Sequence, residues 1–271
     1  MRRLLLWFVP AGIAVAMALV FAAGFAAGIS GRLGVPAAEA VLPTPTPAPS
    51  APAGSLLVVA LGDSMTRGAG DTAGGYPERV ARALRKTGRS VAVENLAVDG
   101  FRTADLLAKL AEPGVRDRIA AADLILLSIS GNDLTRALPG GPGAESERTA
   151  PAVLARVEAD VGAALSAIRE ANPKAPFRLL GLYNPFSEAI GDRRLARQAL
   201  LASNAALERA ALGVEGALVV PVADLFDGRP DRLAADRFHP GPSGYDEIAA
   251  RVLSSLPAAA SGPASGRQSA P

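Results

Sequence analysis

Cysteine is absent from this chain, and histidine occurs once, as His239. Without cysteine there are no disulfides, no thiolate catalysis, no thiolate-ligated zinc and no lipid attachment through sulfur. A single imidazole excludes a metal site built from several histidines. Charge of one sign is also missing. Lys and Arg number 28 against 26 Asp and Glu, and no basic stripe interleaved with aromatics marks a nucleic-acid surface. No EF-hand spacing and no P-loop is present, and Gly68-Ala69-Gly70 is too short for a dinucleotide fingerprint. A carboxylate-only calcium or magnesium site would need separate grounds; no cofactor and no nucleic-acid partner is expected.

Proline and glycine are unevenly spread, and their distribution divides the chain. Met1-Arg2-Arg3 precedes an uncharged apolar run, Leu4 to Ile29, long enough to span a hydrocarbon core. The two arginines would stay cytoplasmic and send the rest of the chain outward. The segment 1–30 is thus a transmembrane signal anchor or a signal peptide. Its length favours the anchor, while Ala38-Glu39-Ala40 offers a cleavage site that would release a secreted form. Residues 31–54 end in VLPTPTPAPSAPAG, an extended spacer. Residues 258–271 are poor in core-forming side chains and read as a disordered tail.

Between them, residues 55–257 alternate apolar strands with amphipathic helices. Strands are expected at Ser55–Leu61, Val91–Val98, Asp123–Ser130, Phe177–Leu182 and Ala217–Val222. Helices are expected at Tyr76–Thr87, Thr103–Leu110, Val115–Ala121, Ala150–Ala171, Asp192–Leu212 and Ser243–Leu256, the last with Ser243 as N-cap. Strands apolar throughout imply a parallel sheet covered on both faces. The expected fold is a doubly wound, three-layer α/β/α sandwich, whose site should lie beyond the carboxyl ends of the strands.

Polar clusters fall at those ends. Gly62-Asp63-Ser64-Met65-Thr66-Arg67-Gly68 follows the first strand, Asp99-Gly100 the second, and Gly131-Asn132-Asp133 the third. Asp236-Arg237-Phe238-His239-Pro240 comes after the fifth. Serine is a weak nucleophile until a base takes its proton, and the lone histidine is the natural base. An Asp three residues before it, Asp236, can orient the imidazole; Asp224, Asp227 and Asp231 compete for that role. An Asn amide and backbone N–H groups can hold an oxyanion. Glycines at 62, 100 and 131 are expected to let the chain turn sharply. Asp63 and Asp133 are expected to bond loop N–H groups.

Taken together, GDSMTRG, Gly100 after a strand, GND and DxxHP resemble, in order, the sequence blocks of the GDSL/SGNH hydrolase family. GDSMTRGAGD and Asn184-Pro185-Phe186 are similar to its bacterial lipase/acylhydrolase branch. The resemblance spans Ser55 to Leu256 and implies a flavodoxin-like sheet in the SGNH hydrolase fold. It implies Ser64 as nucleophile, His239 as base and Asp236 as its orienter. The oxyanion hole would comprise the Ser64 and Gly100 N–H groups and the Asn132 amide. Asn184, Pro185 and Phe186, with Tyr183, would line a substrate pocket. The implied activity is cleavage of carboxylic esters, of lipids or lysophospholipids. An O-acetyl esterase of wall or extracellular polysaccharide is the alternative with the same chemistry, and a non-catalytic surface-anchored binding domain the alternative without it. Arg67 and Arg102 are candidate contacts for an anionic head group, or else are paired with carboxylates. Gly140-Gly141-Pro142-Gly143 is a candidate lid. Oligomeric state is left open.

Overall fold

The computed structural model describes residues 55–137, 150–185 and 193–257. The N-terminal apolar run, the spacer, residues 140–143, Phe186 and the tail lie outside them. Among the described residues no helix is long and apolar enough to cross a membrane.

Five strands form one sheet: β1 (Leu56–Gly62), β2 (Val91–Asn95), β3 (Leu124–Ser128), β4 (Phe177–Leu180) and β5 (Ala217–Val220), in the order β2-β1-β3-β4-β5. All pairings are parallel, and Gly62 stands opposite Ser128 at the carboxyl ends of β1 and β3. Successive side chains of a strand face opposite ways, and β1 shows it. Leu57, Val59 and Leu61 pack into one core, Val58 and Ala60 into the other. The first core is closed by α3 (Thr103–Leu110), α4 (Pro113–Ala121), α6 (Ala150–Ala171) and α7 (Arg193–Leu212). The second is closed by α2 (Gly75–Arg85), α8 (Ala223–Phe226) and α9 (Pro242–Ser254). This is the expected three-layer sandwich.

The longer helices are fixed by stripes at helical spacing. On α6, Val153, Val157, Val161, Ala164, Leu165 and Ile168 are buried, recurring at the three- and four-residue intervals of one face. Full burial of each aliphatic side chain contributes about 1.5–3 kcal/mol. Asn172 ends this helix. Its amide donates to the Ile119 and Ala122 carbonyls, and its oxygen accepts from the N–H groups of Lys174 and Ala175. The one charged side chain buried in the sheet, Arg178 of β4, donates to the carbonyl and hydroxyl of Ser255 at the end of α9. A cation suits that helix end, although burial pushes the guanidinium pKa down.

Two expectations need correction. The N-cap of α9 is Gly241, not Ser243, and Pro242 takes the first helical position, where its missing N–H costs nothing. Also, Gly131 opens a short helix, α5 (Gly131–Ala137), and the residue with a left-handed backbone there is Ser130, at φ 86°. β2, β3, β4 and β5 stop two or three residues sooner than expected, where the chain leaves the sheet.

Candidate active site

The chain runs from β1 outward to β2, then crosses back to β3. The carboxyl ends of β1 and β3 therefore flank the point where strand order reverses, the place where such sheets bind ligands. Ser64 begins a four-residue helix, α1 (Ser64–Arg67), directly after β1. Gly62 makes that turn at φ 111°, and a Cβ on it would stand 1.8 Å from the Ser128 carbonyl oxygen. Asp63 caps α1 by accepting from the Met65 N–H, as expected of it.

Beneath the serine lies a buried chain of hydrogen bonds. The Ser128 hydroxyl donates to Asp63 Oδ1 at 2.5 Å. Its proton being spent there, Ser128 Oγ must accept from Thr66 Oγ1 at 2.7 Å, and Thr66 in turn from the Tyr76 hydroxyl at 2.9 Å. The Thr66 N–H also donates to Ser128 Oγ. Burial raises the Asp63 carboxyl pKa despite the bonds from Ser128 and Met65, and raises that of the Tyr76 phenol. The sequence carried one sign of this network, a serine in an otherwise apolar third strand.

His239 arrives on the loop between a 3-10 turn at Pro230–Arg232 and α9. Its Nε2 is 2.9 Å from Ser64 Oγ, and its Nδ1 is 2.7 Å from Asp236 Oδ2. Oδ1 of Asp236 accepts from the N–H groups of Phe238 and His239. Partial burial tends to raise the Asp236 carboxyl. The His239 ring and the two N–H groups outweigh it and hold the pKa below the ordinary carboxylate value. Asp224, a competitor for this place, instead pairs with Arg251.

Asn132 Nδ2 donates to the Phe101 carbonyl at 2.8 Å, which orients the amide and leaves its second N–H. Gly100 has φ 79°, with open space where a Cβ would be. Among the described residues no acceptor takes the N–H of Ser64 or of Gly100. Asp133 accepts from the N–H and hydroxyl of Thr103 and so locks α5 to α3. Of the two arginines considered for a head group, Arg67 lies 3.2 Å from Asp99 and Arg102 lies 3.3 Å from Asp105; both are paired with carboxylates.

Ser64, Asn132 and His239 open onto a cleft of about 460 Å³. Asn184 and Pro185 line it, and so does Tyr183, while Gly100 and Asp236 do not. The remaining wall is mostly aliphatic, with Leu134, Val153, Leu154, Leu182 and Leu200 from α5, α6, the end of β4 and α7. One contact could not be read from sequence. The Tyr183 hydroxyl donates to the Phe238 carbonyl at 2.5 Å, and its ring stacks on Phe226 at 4.1 Å. Tyr183 thus ties the sheet to the histidine loop. No group of three or more His, Asp or Glu able to hold a metal occurs among the described residues.

A parallel sheet in this order, with serine, histidine and aspartate in hydrogen-bonded sequence at its carboxyl edge, defines the class: a hydrolase of the SGNH type. The chain belongs to the GDSL-like Lipase/Acylhydrolase family, whose model matches residues 60–247, and it is a carboxylic ester hydrolase. It is 32% identical over 214 residues to YpmR of Bacillus subtilis (strain 168), covering 74% of this chain and 81% of that one. It is 30% identical over 211 residues to the spore germination lipase LipC of Bacillus licheniformis, covering 73% and 95%. Among solved structures, the lipase Lip_vut3 from a goat rumen metagenome superposes with a TM-score of 0.64 at 28% identity, over 74% of this chain and 97% of that one. The acetyl-xylooligosaccharide esterase Axe2 of Geobacillus shares the fold, with a TM-score of 0.58 at 21% identity over 74% and 94%.

Proposed function

We propose that the chain is a serine esterase acting on acyl esters of lipids or lysophospholipids, with Ser64 as nucleophile. The observation that carries this is the continuous contact from Ser64 Oγ through the His239 ring to Asp236. His239 Nε2 takes the serine proton as Oγ attacks the ester carbonyl. Asp236, kept ionised, holds the proton on Nδ1 and stabilises the imidazolium. The uncommitted N–H groups of Ser64 and Gly100 and the second amide proton of Asn132 serve the oxyanion. The imidazolium gives its proton to the leaving alcohol, and water repeats the sequence on the acyl-enzyme.

The aliphatic cleft beside Ser64 supports an acyl chain longer than acetyl, since a wall of leucine and valine gains little from a two-carbon group. This favours a lipid ester over an O-acetyl polysaccharide. The N-terminal apolar run supports an exported domain held at a membrane by its first 30 residues, close to such substrates. The test is hydrolysis of nitrophenyl esters from acetyl to decanoyl by the full-length chain and its Ser64→Ala variant. The expected result is a maximum at medium chain length, with the variant slower by at least about 10³-fold. Equal rates in the two proteins would overturn the serine mechanism. A maximum at acetyl would shift the reading to the deacetylase.

A further inference from the structure

Resting on that reading, we propose that the glycine-rich loop 68–74 is the wall that holds the base in place, with Gly70 as a positioning residue for His239. Ser64 and His239 are 175 residues apart in the chain, and this loop links them through its backbone. At one end, Gly68 and Ala69 both donate their N–H groups to the Ser64 carbonyl, at 3.0 and 2.9 Å. Gly70 then packs on the histidine loop. A Cβ on it would stand 2.6 Å from the Pro240 carbonyl oxygen, 2.8 Å from Ala234 Cβ and 3.1 Å from His239 Cβ. Those three residues belong to one small hairpin, in which Leu233 bridges Pro240 and the Ala234 N–H donates to the His239 carbonyl at 2.8 Å. There is no room for a methyl group between Gly70 and this hairpin.

The loop is itself clamped. Buried Asp71 accepts from the N–H groups of Ala73 and Gly75 and from Arg79 Nη1, the last at 2.6 Å. Arg79, on α2, reaches across to α9 and donates to Asp246 through Nε and to the Pro242 carbonyl through Nη2. The Tyr245 hydroxyl donates to the Ala69 carbonyl at 2.7 Å. Pro242, Tyr245 and Asp246 all stand at the start of α9, the helix into which the histidine loop runs. Burying an ion pair brings little net stability; what it fixes here is the position of the loop against that helix. A loop that only turned the chain would need glycine for its backbone angle alone. Gly88 is such a case: φ is 85°, against 86° at Gly70, and nothing lies within 4 Å of where its Cβ would be. Alanine at either place meets the same backbone cost, and only at Gly70 does it meet a neighbour.

The experiment follows hydrolysis of nitrophenyl hexanoate by the full-length chain and its Gly70→Ala, Gly88→Ala and Ser64→Ala variants, with folding checked by thermal midpoint. Gly70→Ala should lower kcat by about 10²-fold, the cost of displacing a reacting group by about 1 Å, while KM stays within about twofold. Gly88→Ala should keep kcat. An unchanged kcat in Gly70→Ala, a rise in KM in place of the fall in kcat, or equal falls in kcat in the two glycine variants overturns the assignment and leaves the esterase reading intact. Should Gly70→Ala not fold, Tyr245→Phe decides. It keeps the ring and removes the bond to the Ala69 carbonyl, so kcat should fall by roughly fivefold at constant KM; no fall overturns the assignment. A rate in the unaltered protein equal to that of Ser64→Ala overturns both this and the serine mechanism.

Discussion

The two halves of the candidate site are built in opposite ways. Ser64 stands directly after β1, on a turn whose underside is buried. Gly62 has no space for a side chain, and Asp63, Thr66, Ser128 and Tyr76 bond to one another out of reach of water. His239 stands on an outer loop whose bonds are mostly to itself. Asp236 is half-exposed and caps the N–H groups that follow it, Arg237 sits at φ 55°, and Ala234 N–H donates to the His239 carbonyl. Ser64, the proposed nucleophile, is therefore placed by the core and shares the core's stability. His239, the proposed base, is placed by a few local bonds and by the longer-range contacts to Tyr183 and Ser64, and it can be disturbed without unfolding the domain. Substitutions on the first side should register as stability, and on the second as rate.

The largest effect is expected from Gly62→Ala. The new Cβ would collide with the Ser128 carbonyl oxygen at a backbone angle that L-residues avoid. A loss of about 4 kcal/mol or more is expected, read as a shift in denaturant midpoint or as absence of soluble protein. A stable, folded Gly62→Ala would show that the β1–β3 edge yields where the structure has it rigid.

On the other side, Asp236→Asn should leave the fold in place, since an amide oxygen can still cap the Phe238 and His239 N–H groups. The amide NH₂ cannot accept the proton on Nδ1 and would favour the wrong tautomer. Ester hydrolysis should fall by about 10³-fold with little change in thermal midpoint. The loss should persist at higher pH, because the native carboxyl is already ionised well below neutrality. A drop of only a few fold would move the role of orienter elsewhere.

Tyr183→Phe comes next. It keeps the stack on Phe226 and the cleft wall and removes one hydrogen bond, to the Phe238 carbonyl. That bond is the side-chain link from the end of β4 to the histidine loop. The stability cost should be about 1 kcal/mol, and kcat should drop by roughly tenfold while KM holds, since the lining is unchanged. A rise in KM with kcat intact would mean that the tyrosine serves the substrate and not the histidine.

The same contrast explains what the sequence could reveal. The strands showed because they are mostly apolar on both faces, and α3 and α6 fell at the expected residues because their stripes run for two turns or more. The short helices α1, α5 and α8 hold four to seven residues, too few to display a period, and their sequences read as loops. Ser64 and Asn132 could be singled out because they sit in polar clusters just past apolar strands, and Asp236 and His239 because the lone histidine follows an aspartate three residues on in the loop before the last helix. The hydrogen bonds of Ser128 and Tyr183 could not be read, because their partners lie 65 and 55 residues away and only folding brings them together. Ser243 was misplaced as a cap because a serine before a helix is the common case. Here Pro242 had already started the helix.

Ser130 gives the smallest expected effect and the one most able to refine the comparison. It is fully buried at φ 86°, and its hydroxyl finds no hydrogen-bond partner. An L-residue in this region loses about 1–2 kcal/mol relative to the right-handed form, and an unsatisfied buried hydroxyl costs about 1 kcal/mol more. Glycine would remove both costs, against roughly 0.5–1 kcal/mol for the greater freedom it has when unfolded. Ser130→Gly should therefore stabilise the domain by about 1 kcal/mol in denaturant titration. Activity should persist, because Asn132 is aimed by its bond to the Phe101 carbonyl and not by the backbone before it. If stability rises but hydrolysis falls, the strain at Ser130 is part of how Asn132 is positioned. The rigid half of the site would then extend from β1 through the end of β3 into α5.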